Sequence, residues 1–266
     1  MPNVQARRQA RGTGTGRRRR GGQKRVRGNV AVAMIDILGF SDLSRRESPQ
    51  RIFDEIFEPL VQVRRNAAAV AGALSGRREE VFTLAFSDTI LVYRPERSDF
   101  RIPGALPPHT CIKLVGATVA DIIQKGLRRE RPILFRGAIA WGECLINPVE
   151  PRCFIGAPII EAYCLEREQE WVGAVLAPTA AAAFGEPDDL TFVPYQVPLK
   201  NGRSMANGMA VNWLHYLGAQ DARFDRLPEP AADLSQDKRA AVLRKQENTR
   251  AFYDHFRDAS IGSPPA

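Results

Sequence analysis

Ala31-Val32-Ala33-Met34-Ile35-Asp36-Ile37-Leu38-Gly39-Phe40 is an apolar run that closes on a carboxylate, a glycine and an aromatic ring. A second run of the same kind, Phe82-Thr83-Leu84-Ala85-Phe86-Ser87-Asp88-Thr89-Ile90-Leu91-Val92-Tyr93, carries Asp88 at its middle. Residues 29–38 read as a fully buried strand, nearly all apolar and bounded by glycines. Residues 79–86 and 88–94 read as two strands joined by a tight reversal, a hairpin with Asp88 at its tip. Desolvating an unpaired charge is costly, so a carboxylate directly after a buried strand needs a reason. Alone, Asp36 reads equally well as a turn former or a helix N-cap, and Asp88 reads more readily that way than as a ligand. Two of them, on strands that can be neighbours, make an oxygen-ligand site for a divalent ion, with the Ile37 carbonyl as a third donor. Gly39 lets the backbone approach a ligand, and Phe40 can cover it. The expectation is a metal-dependent phosphoryl-transfer site.

Outward from these strands the elements fall into an order. A helix is expected from Ser48-Pro49 to about Val70, with Ile52, Phe53, Ile56, Phe57, Leu60 and Val61 on one face. A second helix, roughly 109–129, turns Ile112, Val115, Val119, Ile122 and Ile123 inward, and residues 132–142 follow as a strand. Strand, helix, two strands, helix and strand make the ferredoxin-like split βαβ arrangement. Further along, 143–155 read as a hairpin or loop addition, 156–168 as a helix, 171–177 as a strand, and 190–197 and 205–212 as strands. A polar, charged helix from about Gln236 to Arg257 follows, with Ala259 to Ala266 loose. The fold class expected is α+β, a ferredoxin-like βαββαβ core with added strands. The domain boundaries expected are 1–28 for a tail, 29–215 for the catalytic domain and 216–266 for a C-terminal linker and helix.

The formal net charge of +8 belongs to one end of the chain. Ten of the 38 basic residues lie within residues 1–28, which contain no acid; the other 28 stand against 30 acidic residues, a balance near −2. The Arg/Gly-rich tail is therefore expected to be disordered. Its contact with nucleic acid would be non-specific, and a solvated extension is the plainer reading. No stretch approaches the ~18 apolar residues of a membrane span, and the N-terminus lacks the apolar segment of a signal peptide. The four cysteines, Cys111, Cys144, Cys153 and Cys164, show no zinc-type spacing and read as reduced thiols in a cytoplasm. His109, His215 and His255 are isolated, and Trp141, Trp171 and Trp213 read as packing.

Asp36-Ile37-Leu38-Gly39-Phe40 resembles the strand-end metal motif of class III nucleotide cyclase catalytic domains, and Ser87-Asp88 resembles their hairpin aspartate, usually preceded by Gly. Arg136-Gly137-Ala138-Ile139-Ala140-Trp141-Gly142 is similar to the family's later strand, and Gly156 through Leu165-Glu166 to its helix that opens on Gly and ends in Leu-Glu. Leu199-Lys200-Asn201-Gly202 resembles the turn whose lysine reaches the triphosphate. The resemblance spans about residues 29–215 and implies two Mn²⁺ (or Mg²⁺) ions held by Asp36, Asp88 and the Ile37 carbonyl. It implies Arg136 and Lys200 as catalytic cations, and Gly39, Phe40, Leu84 and Cys153 around the substrate. It also implies a homodimer with composite sites. Taken alone, Arg136 reads as a salt-bridged strand residue, Lys200 as a solvated lysine, and Leu84 and Cys153 as core.

Two departures matter. Where purine cyclases carry an Asn and an Arg on the Gly-to-Leu-Glu helix, this chain has Ile160 and Cys164, leaving Arg136, Arg167 and Lys200 as the cations to hand. At the base-reading position it has Leu84, whose apolar side chain offers no hydrogen bond to a purine edge. This pattern, with the run Phe154 to Glu166 and Trp171, resembles the pyrimidine cyclases of Pycsar antiphage defence. The resemblance implies UTP or CTP as substrate, cyclic UMP or cyclic CMP as product, and a separate cyclic-nucleotide-binding effector. The rival readings are an ATP or GTP cyclase, a catalytically silent nucleotide sensor and a nucleic-acid-binding protein acting through the tail.

Overall fold

Alternation along the first strand decides how the molecule is layered. In β1 (Val26–Ile37), Ala31, Ala33, Ile35 and Ile37 bury into one apolar cluster, whereas Val30 and Val32 bury into another on the opposite face. A strand apolar on both faces is one covered on both faces. The structure is a computed structural model that describes residues 26–54, 81–97, 104–146, 154–188, 190–215, 227, 229–230 and 233–261.

Two short helices follow β1: α1 (Phe40–Arg46) and α2 (Pro49–Ile52). Ser48 caps α2, its hydroxyl accepting from the Arg51 N–H at 3.2 Å. Ile52 is buried, but Phe53, expected on the same inward face, is exposed; the rest of that expected helix lies outside the described residues. The hairpin forms as expected, β2 (Phe82–Phe86) and β3 (Thr89–Pro95) flanking the two-residue turn Ser87-Asp88.

Helix α3 (Pro108–Leu127) buries Ile112, Val115, Val119, Ile122 and Ile123 against the sheet, the face its period foretold. Burying side chains of this size contributes about 1.5–3 kcal/mol each. Strand β4 (Phe135–Ile146) runs further than expected and turns back through β5 (Phe154–Gly156), so the 143–155 addition is a hairpin.

Helix α4 (Ala157–Glu168) packs on the face opposite α3, with Ala162 in the second cluster. Then come β6 (Gly173–Leu176), α5 (Pro178–Phe184), β7 (Phe192–Pro198) and β8 (Ser204–Val211). Helix α5, an alanine-rich turn between Pro178 and Gly185, was not expected. The C-terminal helix α6 spans Gln236–Ile261, so Ala259 to Ile261, expected loose, continue it.

One sheet holds all the strands among the described residues, in the order β2-β3-β1-β4-β6-β8-β7, with β5 on β4. Its first four members, β2-β3-β1-β4, are antiparallel and constitute the ferredoxin-like core. β6 adds in parallel to β4, and the β7–β8 hairpin extends that side. The α+β architecture stands as read from the sequence. Trp171 and Trp213 are wholly buried and Trp141 nearly so, in line with a packing role.

Candidate active site

Register brings the two aspartates together. Asp36 pairs with Thr89 on β3 and with Arg136 on β4. Asp88 precedes Thr89, and its carbonyl accepts the Ile37 N–H at 3.0 Å. The turn that presents Asp88 requires a positive φ of 56° at Ser87, where the resembling motif has glycine. Gly39 adopts φ 77°, a left-handed conformation that ends β1 and starts α1, with nothing within 4 Å of the Cβ position. Leu38 and Phe40, on either side, pack against the main core.

Arg136 is the hub of a buried charge cluster. Its guanidinium donates to Glu166 through Nε at 2.7 Å and through NH1 to the Gln169 carbonyl at 3.0 Å. Its NH2 lies 2.6 Å from Glu166 and 3.6 Å from Asp36. Burial raises the Asp36 carboxyl above its ordinary range, Arg136 opposes this, and the like charge of Asp88 adds to it. Glu166 is likewise raised by burial and opposed by Arg136. A cation beside Asp36 and Asp88 would relieve their mutual repulsion. Their oxygens, with the Ile37 carbonyl, are the hard donors that Mg²⁺ or Mn²⁺ takes. The donor set therefore fits such an ion; among the described residues there is no group of three or more His, Cys, Asp or Glu side chains that could hold one.

Arg136 thus stands beside Asp36 as a salt-bridged, buried group. Lys200 is reached along the backbone: Gln169, held by Arg136, forms an isolated bridge with Leu199, and Lys200 opens the short 3₁₀ turn Lys200–Gly202. Leu84 is not core; it is 49% exposed, in register with Leu91 and through it with Met34, two rows from the Asp36 row and so on the same face of the sheet. Phe86, in the Asp36–Thr89 row, is 81% exposed. Cys153 lies outside the described residues. Ile160 and Cys164 are both exposed on α4, and Arg167 is engaged with Tyr163, donating to its hydroxyl at 2.9 Å. Glu166 and Gln169, which fix Arg136, carry little sequence signal: Glu166 stands only as the end of the Leu165-Glu166 motif, and Gln169 three residues beyond it has none.

No protein-family model matches the chain, and no curated protein matches it. Solved structures do. The catalytic core of a rhodopsin-guanylyl cyclase with converted specificity, in complex with ATPalphaS, aligns at TM-score 0.50 and 15% identity, covering 71% of this chain and 98% of that one. The monomeric guanylyl cyclase domain of the RhoGC fusion protein from the aquatic fungus Blastocladiella emersonii gives the same TM-score, identity and coverage. The fold is that of a class III nucleotide cyclase catalytic domain. At this identity the likeness concerns the fold alone. No helix among the described residues is long and apolar enough to cross a membrane.

Proposed function

We propose that this chain is a nucleotide cyclase that converts a pyrimidine ribonucleoside triphosphate, UTP before CTP, to the 3′,5′-cyclic monophosphate and pyrophosphate. The observation that carries the reading is the meeting of Asp36 and Asp88 at the end of β1, with an apolar Leu84 two rows away on the same face. Asp36, Asp88 and the Ile37 carbonyl would hold two Mn²⁺ or Mg²⁺ ions. Bound there, such ions activate the ribose 3′-oxygen and offset phosphate charge. Arg136, clamped by Glu166 and Gln169, keeps the Asp36 carboxylate aimed. The turn at Gly39 sets the Phe40 backbone beside the triphosphate, and Lys200 faces the leaving pyrophosphate. The 3′-oxygen then attacks the α-phosphorus in line, its proton passing to solvent, and the bond to pyrophosphate breaks.

Leu84 offers a base no hydrogen bond, which disfavours a purine-reading site and leaves room for a pyrimidine edge read by other groups, Cys153 among them. The exposed apolar set Leu84, Phe86, Ile155, Ile160 and Tyr163 supports a homodimer with sites shared between subunits. The run Phe154 to Glu166 supports the antiphage-defence branch, in which a separate effector binds the cyclic nucleotide. A second reading, a silent nucleotide sensor, is favoured by Ile160 and Cys164, neither of which can steady a transition-state charge. Incubation with Mn²⁺ and UTP or CTP, product by mass spectrometry, separates them. Cyclic UMP or cyclic CMP that disappears in Asp88→Ala supports the cyclase; bound but unconverted nucleotide supports the sensor.

A further inference from the structure

Helix α6 lies outside the elements from which the site was read, yet it is held against them. The Thr249 hydroxyl accepts the Val172 N–H at 2.8 Å and donates to the Lys245 carbonyl at 2.6 Å. Asn248 donates to the Glu170 carbonyl at 2.7 Å, and Arg244 Nε to the Glu170 carboxylate at 3.2 Å. Glu170 follows Gln169, the residue that Arg136 holds, and its N–H donates to the Pro198 carbonyl at 2.9 Å, two residues before Lys200. The helix is thereby fixed on the segment that joins Arg136 to the Lys200 turn.

Between α6 and that turn opens a cavity of about 660 Å³ whose lining includes Lys200, Arg203, Arg244, Lys245 and a single acid, Glu170. Arg203 is paired with Glu168 and Arg244 with Glu170. Lys200 and Lys245 have no ion pair among the described residues. Burial lowers the Lys245 ammonium below the usual lysine range, and the charges of Arg136 and Lys200 lower it further, against the pull of Glu170 and Asp36. Two lysines in one recess, neither with an ion pair among the described residues, are the arrangement that an anion resolves.

We infer that the cavity between α6 and the Lys200 turn is a polyphosphate site, in which Lys245, supplied by the C-terminal helix, contacts the triphosphate tail of the nucleotide beside Lys200. The inference rests on the nucleotide-cyclase reading for its ligand, but its test does not need turnover. Lys245 has the reach and the point charge for a terminal phosphate, and Thr249 fixes the backbone from which it extends.

The experiment is calorimetric titration of the full chain with inorganic tripolyphosphate, then with UTP, comparing wild type, Lys245→Gln and Lys245→Arg, with circular dichroism and melting temperature as the folding check. Saturable binding by the wild type, weakened at least about tenfold in Lys245→Gln and kept in Lys245→Arg, is the expected result. Equal affinity in folded Lys245→Gln, or no binding of tripolyphosphate by the wild type, overturns it. The two readings fail separately. Loss of tripolyphosphate binding in Lys245→Gln, with no cyclic product from the wild type, keeps the site and removes the cyclase. A productive wild type with an unchanged KM in Lys245→Gln keeps the cyclase and removes Lys245.

Discussion

Asp36 is costly to the fold. Its carboxyl is raised by burial and by Asp88, with Arg136 in opposition. A carboxyl whose folded pKa exceeds the ordinary 3.8 binds its proton more tightly in the folded than in the unfolded chain. Stability therefore falls as pH climbs from 3.8 through the raised value, and the whole penalty is present above it. Asp36→Asn removes the charge while Arg136 keeps Glu166. In metal-free buffer at pH 7 this variant is expected to melt above wild type, with an activity loss of at least about a thousandfold. Adding Mn²⁺ stabilises wild type and leaves the variant unmoved. A lower melting temperature for Asp36→Asn would show that Arg136, not burial, governs this carboxyl.

At the scale of elements, legibility followed periodicity. β1 was readable as an unbroken apolar run between glycines, and α3 because its buried residues recur at the helix period over 20 residues. α1 and α5, seven residues each, show too few turns to register a stripe. α6 was readable as a helix but not as a packed one, because its composition is charged. Its inward stripe mixes chemistries: Lys245, Thr249, Phe252 and Phe256 recur at spacings of three and four, and an apolar count sees only the last two. That stripe was the available signal for Lys245.

Phe252 is fully buried, its ring 5.0 Å from Trp171, 5.4 Å from Trp213 and 4.9 Å from Tyr195. Phe252→Ala is expected to cost about 3–5 kcal/mol, read as a shifted midpoint in urea unfolding. A shift near zero would mean that α6 is not an integral part of the domain.

For the whole molecule, motif order let the sequence place the two aspartates, since the hairpin and β1 must pair for either to make sense. It did not disclose that Arg136 would be immobilised by Glu166 and Gln169, because that depends on where α4 ends relative to β4. Nor did it show that Leu84 would stand exposed: burial at an edge strand is decided by what covers it. The apolar face bearing Leu84 and Phe86 is what a second copy would cover. Phe86→Asp is expected to halve the mass seen by analytical ultracentrifugation and remove activity, while the circular dichroism spectrum is kept. A wild type that sediments as one chain and is fully active would remove the dimer from the account.

A cyclase fold with Asp36, Asp88 and Leu84 in these positions is expected to cyclise a pyrimidine nucleotide. The most direct test is competition: purified protein with Mn²⁺ and an equimolar mixture of ATP, GTP, UTP and CTP, the cyclic products resolved by mass spectrometry against an Asp36→Ala blank. Cyclic UMP, or cyclic CMP, is expected as the dominant product, absent from the blank. Cyclic AMP or cyclic GMP in its place, or no cyclic product from any of the four, would contradict it.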